Sequence, residues 1–326
     1  MFYFGGKSKV ASEVWDRFGN VPNYIESFFG SGAILLNRPH EAGIETVNDK
    51  NGFLSNFWRA VKHDPEQVAA YADWPSSEND LHARHSWLVR NGSDLAERLE
   101  GDPEYYDAKV AGWWCWGRCV WIGGGFCSGK GPWVVVEGKL VHGESGNAQG
   151  ISRRRIHLSS AGQGISRQRP HLKGGVGIQR QNIDIRSWMH VLSTRFRCVR
   201  VACGDWKRVM GPCVTIQNGV TGVFLDPPYG SDTGRHKDLY TTESMTVARE
   251  CRGWCIENGR NKLLRIALCG YTGEHDELSS HGWTPYFWET QGGYANQGNG
   301  IGRANAKREV IWFSPHCLSG GQLRLF

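Results

Sequence analysis

Asp226-Pro227-Pro228-Tyr229 puts an acid, two prolines and an aromatic on one loop, directly after the apolar run Val223-Phe224-Leu225. At average composition, with proline near 5%, such a tetrapeptide arises by chance in roughly one chain per thousand of this length. The apolar run reads as a strand, and open α/β sheets bind ligands beyond the carboxyl ends of their strands, where this loop falls. Asp226 can accept one hydrogen of an exocyclic amine, and a proline carbonyl held by its fixed φ can accept the other. Tyr229 can stack on the ring. Two acceptors draw the amine lone pair out of conjugation and make it nucleophilic, so the loop suits an amino-bearing base turned out of its helix. A proline turn that merely ends a strand would read the same way.

A second constellation is Phe28-Phe29-Gly30-Ser31-Gly32-Ala33. It is not Gly-x-Gly-x-x-Gly, yet its physics is similar: glycines after a first strand let the backbone approach a ligand, and the following helix start offers free N–H groups. Asp49, at the end of the next strand, sits where nucleoside-binding α/β folds place a carboxylate on ribose hydroxyls. A glycine turn and a capping Asp explain this pair equally well. Gly124-Gly125-Phe126-Cys127-Ser128-Gly129-Lys130-Gly131 nearly spells a phosphate-binding loop. Gly131 replaces the Ser or Thr that such a loop needs, and Pro132-Trp133 and a valine run follow in place of a helix, so a nucleotide triphosphatase is rejected.

Charge is unevenly spread. The 326 residues carry 38 Lys and Arg against 32 Asp and Glu, for a net +6, yet residues 151–200 hold eleven of those cations and one acid. Within that tract Gly150-Ile151-Ser152-Arg153-Arg154-Arg155-Ile156-His157-Leu158 returns as Gly164-Ile165-Ser166-Arg167-Gln168-Arg169-Pro170-His171-Leu172, and a degenerate copy begins at Gly177-Ile178-Gln179-Arg180. A stretch rich in Gly and Arg and poor in aliphatics cannot bury a core, so it reads as a surface loop or flexible arm. Its excess cations self-repel unless a polyanion offsets them. Arg153, Arg155, Arg167, Arg169 and Arg180 therefore stand as nucleic-acid contacts, through phosphates or base edges. A solvated basic linker is the plainer alternative.

No window approaches the ~18–20 apolar residues of a membrane span, and the first residues lack the features of a secretory signal. A soluble, cytoplasmic protein is expected. None of the ten cysteines forms Cys-x-x-Cys, and neither Cys115 with Cys119 nor Cys251 with Cys255 has partners at zinc-site spacing, so buried free thiols and no metal are expected. A reducing compartment fits them.

The elements that must position these residues follow from pattern. Residues 23–29 read as a strand, Gly30-Ser31-Gly32 as a turn, Ala33-Ile34-Leu35-Leu36 as a helix start and residues 43–47 as a second strand, a βαβ opening. Residues 53–72 predict one helix. From about 73 to 195 the α/β rhythm is lost among tryptophans, glycines and the basic repeats. It resumes with strands at 195–202, 222–225, 263–268, 285–289 and 309–313 and a helix at 244–257. An α/β domain interrupted by an insert is the simplest account.

Taken in order, Tyr3-Phe4-Gly5-Gly6-Lys7, Phe28-Phe29-Gly30-Ser31-Gly32, Asp49-Lys50-Asn51, an insert and Asp226-Pro227-Pro228-Tyr229 resemble the Dam-type DNA adenine methyltransferases. The resemblance covers the two catalytic segments well and the insert poorly. It implies a class I methyltransferase fold, Rossmann-like α/β with a mostly parallel sheet and an antiparallel terminal hairpin. It divides the chain into a catalytic domain of residues 1–60 and 191–326 and a DNA-recognition insert of 61–190, with basic repeats at about 150–182. It implies S-adenosylmethionine held by Tyr3, Lys7, Phe28, Gly30 and Gly32, with Asp49 on the ribose and Asp205-Trp206 at the cofactor adenine. Asp226, Pro227, Pro228 and Tyr229 would then act on a flipped adenine in double-stranded DNA, at N6.

Gly292-Gly293-Tyr294 and the cations that follow, Arg303 and Lys307 among them, form a loop placed to touch DNA phosphates or simply a long mobile loop. Residues 230–240, with Arg235, His236 and Lys237, are placed to close over substrate. The chain starts almost on Gly-Gly-Lys, so a few residues are expected upstream. With recognition and catalysis in one chain, a monomer is expected. Methylation of cytosine N4, an RNA substrate and a DNA-binding protein with an inactive catalytic domain stay open as alternatives.

Overall fold

A computed structural model describes residues 7–121, 126–127, 133–136, 139–142, 184–228, 242–288 and 309–319; at 133–136, 139–142 and 242–245 it describes the backbone alone. In chain order the elements are α1 (Ala11–Phe18), β1 (Asn23–Glu26), α2 (Ala33–Leu36), β2 (Ile44–Asp49), α3 (Gly52–His63), α4 (Pro65–Ala72), α5 (Glu78–Asn91), α6 (Leu95–Gly101), α7 (Ala108–Val120), β3 (Trp133–Val136), β4 (Lys139–His142) and α8 (Ile185–Phe196). They continue as β5 (Val199–Cys203), α9 (Pro212–Thr215), β6 (Thr221–Leu225), α10 (Thr242–Asn258), β7 (Leu264–Tyr271), β8 (Thr284–Trp288) and β9 (Glu309–Phe313). The described residues form two compact units: those of 7–49 with 198–319, built on a sheet, and those of 50–197, built on helices.

Among the described residues the sheet has seven strands in the order β5-β2-β1-β6-β7-β9-β8. The pairings β5-β2, β2-β1, β1-β6 and β6-β7 are parallel, whereas β9 runs antiparallel to both β7 and β8. From β1 the chain builds outward to β2 and β5, then returns to β6 on the other side of β1, which makes the β1/β6 boundary the topological switch point. The central strands are buried along their length because helices cover them, the usual state of parallel sheet. In α1, Ala11, Val14, Trp15 and Phe18 recur at helical spacing and are all buried, and the Trp15 indole N–H donates to the Ile34 carbonyl at 2.8 Å, tying α1 to α2. Gly222 in β6 lets that strand lie against Phe18, since a Cβ there would meet the ring at 2.9 Å.

In the helical unit α3 and α4 are separate helices, where a single one over 53–72 was expected. Asp64 leaves the helical region (φ −142°, ψ 66°), its carboxylate accepts from the Gln67 N–H and Pro65 opens α4, a stop and a start in two residues. The stretch that showed no rhythm contains α5 to α8 and the β3-β4 hairpin. Its cohesion comes from aromatic packing: Trp58 stacks on Phe196 at 4.6 Å, and Arg84 lies over Trp74, Trp113 and Trp116. The strand expected at 195–202 begins at Val199, because α8 runs on until Phe196 is buried. This division places α3 in the helical unit.

Cys115, Cys119, Cys251 and Cys255 are buried free thiols, and burial raises the pKa of Cys251 and Cys255. No described helix is long and apolar enough to cross a membrane.

Glu26, within β1, is buried, and burial pushes its carboxyl well above the usual carboxylate range against the opposing hydrogen bond from Tyr24, whose hydroxyl donates to Oε2 at 2.8 Å. The folded protein therefore holds a proton that the unfolded chain releases near pH 4.5. The stability this gives is complete below that pH and is lost as pH rises through the raised value. Glu26→Gln keeps the site neutral at every pH, so in urea unfolding its stability relative to wild type should rise as pH climbs above the ordinary carboxylate range. A difference that stays flat would show Glu26 ionised in the fold.

Candidate active site

The carboxyl ends of β1, β2, β5 and β6 share one edge, because their parallel registers pair Glu26 with Phe224 and Asp49 with Cys203. Just past that edge lie the glycine turn, Asp49, Asp205 and Asp226. The segment expected to be strand through 29 leaves the sheet after Glu26. The Phe29 N–H donates to the Asn48 carbonyl at 2.9 Å, and Gly30 and Gly32 turn the chain with φ of +49° and +67°. A side chain at Gly32 would be strained by that φ and would meet the buried Phe29 ring at 2.6 Å.

Asp49 closes the turn, its Oδ2 accepting from the Gly30 N–H at 3.0 Å. Beneath it Asn48, buried, donates through Nδ2 to the carbonyls of Ser27 and Gly204, both at 3.1 Å, and so binds the ends of β1 and β5 to β2. Nothing in the sequence singled out Asn48 except its place beside Asp49.

Phe28 stacks on Trp206 with ring centroids 6.1 Å apart. Trp206 itself is buried in the core beside Ile25, Val209 and Met210, so its support of the edge runs through Phe28. Asp205 is exposed and caps its own short turn, accepting from the Lys207 N–H at 2.9 Å.

Asp226 follows Leu225 at the end of β6, with Pro227 buried and Pro228 exposed. Its Oδ1 receives the Lys7 ammonium at 3.1 Å, and Lys7 Nζ also lies 3.4 Å from Glu309 Oε2. Lys7 is only 4% exposed. Burial alone would lower its pKa, but Asp226, then Cys269 and Glu309, outweigh that and raise it, so the ammonium stays charged. The Trp288 ring lies 5.9 Å from Nζ, and the buried Cys269 thiol lies close by, its pKa raised by burial. Lys7, expected at the cofactor, also pairs with Asp226. Glu309 opens an otherwise apolar strand, the one mark that sets it apart in the sequence.

Tyr3 and Tyr229 lie outside the described residues, as do Arg153, Arg155, Arg167, Arg169, Arg180, Arg303 and Lys307, the segment 230–240 and most of the 124–131 loop.

A mostly parallel α/β sheet of this order, with glycine turn and acids gathered at the carboxyl edge, is consistent with a methyltransferase-like fold. Residues 3–86 match the family described as D12 class N6 adenine-specific DNA methyltransferase, a stretch that includes Lys7, the glycine turn and Asp49 and stops well before Asp226. No curated protein matches the chain. The matched family is one of enzymes that methylate adenine N6 in DNA, which favours adenine over cytosine.

Gly32→Ala should cost about 1–3 kcal/mol in urea unfolding, from the left-handed backbone and the Phe29 collision together. An unchanged midpoint would mean that the turn adapts freely.

Proposed function

We propose that the chain transfers a methyl group from S-adenosylmethionine to N6 of an adenine flipped out of double-stranded DNA, and does so as a monomer in a reducing, cytoplasmic compartment. The observation that carries the reading is Asp226, held by a buried ammonium at the end of β6 and beside the switch point of the sheet. The donor set suits the cofactor. Gly30 and Gly32 allow close backbone approach, Phe28 offers a half-buried ring, and Asp49 and Asp226 bring negative charge to an edge that must receive a sulfonium cation.

In this reading Phe28, Gly30 and Gly32 hold the cofactor with Tyr3, Asp49 meets the ribose, and Asp205 faces the adenine moiety with Trp206 behind Phe28. When bound, S-adenosylmethionine supplies an electrophilic methyl: the N–C bond forms as the C–S bond breaks, the C–S electron pair stays on sulfur, and the nitrogen sheds one proton to solvent. The protein's part is positioning and charge. Asp226 and the Pro227 carbonyl accept the two amine hydrogens, which localises the lone pair on nitrogen, and Tyr229 stacks on the base. Lys7 fixes the Asp226 carboxylate by engaging Oδ1. The insert of 61–190, with Arg153, Arg155, Arg167, Arg169 and Arg180, would follow the DNA, and Arg303 and Lys307 would meet its phosphates.

Incubation with unmethylated DNA and methyl-labelled S-adenosylmethionine, then digestion to nucleosides, should put the label in N6-methyladenosine. Asp226→Ala should abolish that transfer while largely sparing cofactor affinity measured by calorimetry; wild-type turnover in this variant would refute the role. Alanine at Arg303 and Lys307 together should weaken DNA binding and shallow its salt slope by about two. An unaltered slope would remove the phosphate role.

A further inference from the structure

β2 lies between β1 and β5, and its last two residues reach past β1, whose pairing with β2 ends at Glu26 opposite Val47. Hydrogen bonds from both neighbours converge on those two residues. The Asn48 carbonyl accepts from the Phe29 N–H at 2.9 Å, and the Asp49 carbonyl accepts from the Gly204 N–H at 3.2 Å. The Asn48 side chain joins the two sides through a single atom: Nδ2 donates to the Ser27 carbonyl beyond β1 and to the Gly204 carbonyl beyond β5, each at 3.1 Å. Those carbonyls fix which end of the amide is nitrogen, since an oxygen there would face two acceptors. Oδ1 is buried and has no hydrogen-bond partner among the described residues, a cost that an apolar side chain would not carry. Packing alone therefore does not account for an amide here; its two donations do.

Ser27 precedes Phe28, and Gly204 precedes Asp205. We propose that Asn48 is a positioning residue for the cofactor: by holding both carbonyls to one nitrogen it sets the gap between Phe28 and Asp205, which receives the adenine moiety of S-adenosylmethionine. The inference rests on the methyltransferase reading, which puts those two residues at that moiety. Asn48 is 1% exposed, so it acts through the backbone of the two segments and not on the ligand. Two acceptors on one planar amide cannot drift apart without breaking a bond. The stack of Phe28 on Trp206, the residue after Asp205, ties the same two segments through their rings. Discrimination follows from the difference between the two walls. A flat ring tolerates small shifts of the aromatic face it stacks on, whereas a hydrogen bond from the adenine amine to Asp205 is lost when the carboxylate moves by a fraction of an ångström to one side. Loss of the Asn48 amide therefore falls on recognition of the amine.

Calorimetry on the full-length chain tests this with two probes: S-adenosylhomocysteine, and its inosine counterpart, in which a carbonyl oxygen replaces the adenine amine. Asn48→Ala should weaken the first on the order of 10-fold and leave the second nearly unchanged, so the preference for the amine shrinks by that factor. Asn48→Ser, which keeps one donor, should fall between Asn48→Ala and wild type. In label transfer the KM for S-adenosylmethionine should rise by a similar factor with kcat nearly kept. A wild-type preference in Asn48→Ala overturns the proposal, and so does equal weakening of both probes, which marks a general loosening of the edge. If Asn48→Ala does not fold, Asn48→Ser decides by the same two criteria. A wild-type protein that binds both probes equally removes Asp205 from the adenine moiety and this proposal with it. One that binds neither fails the methyltransferase reading itself.

Discussion

An ammonium removed from water must be paired, and the pairing of Lys7 organises the candidate site. A lysine buried to this degree loses several kcal/mol of hydration, which only closely placed opposite charge can offset. The sheet provides two such charges from strands that are not neighbours: Asp226 at the exit of β6 and Glu309 at the entrance of β9, with β7 between them. The meeting requires the antiparallel reversal of β9. Fold and electrostatics are one constraint here, since moving either strand by one residue would turn its acid to the other face and leave the ammonium short of charge.

The second half of the edge is held by hydrogen bonds. Asn48 gathers the ends of β1 and β5, and Asp49 grips the glycine turn through the Gly30 N–H. Each of these groups serves the backbone as well as any ligand, so the edge keeps its shape before anything binds. Such pre-organisation spares a methyl-transfer enzyme, whose chemistry needs alignment more than it needs proton transfer, the cost of ordering its loops after binding. The Phe28–Trp206 stack extends the same support into the core.

Much of the fold was legible in the chain. The βαβ opening, the apolar strands β6, β7 and β9 and the long helix α10 follow from periodicity, and the acid-proline-proline-aromatic loop declares itself by composition. Boundaries moved wherever a side chain outside the local pattern decided them. Asp64 and Pro65 split one apolar stripe into α3 and α4. Phe196, stacked on Trp58, drew α8 two residues into an expected strand. The helical character of 73–121 escaped because its helices bury Trp, Arg and His in place of a regular aliphatic stripe, so the usual periodicity is weak. Arg84 illustrates this: a cation reads as surface in one dimension, yet here three indole rings shelter it.

By itself the sequence determined the chemistry on offer: which residues can accept an amine hydrogen, where glycine permits a left-handed turn, which acid ends which strand. These are properties of residue type and near-neighbour spacing, and no folding is needed to read them. Only tertiary structure decided partnership. Lys7, Asp226 and Glu309 are scattered over nearly the whole chain, and no local rule links them. Their meeting depends on strand order and direction, on parallel β6 and antiparallel β9, which are set by how the sheet as a whole buries its apolar faces. The same physics pairs Lys7 with Asp226, because a buried charge goes to the counter-charge the assembled sheet places near it.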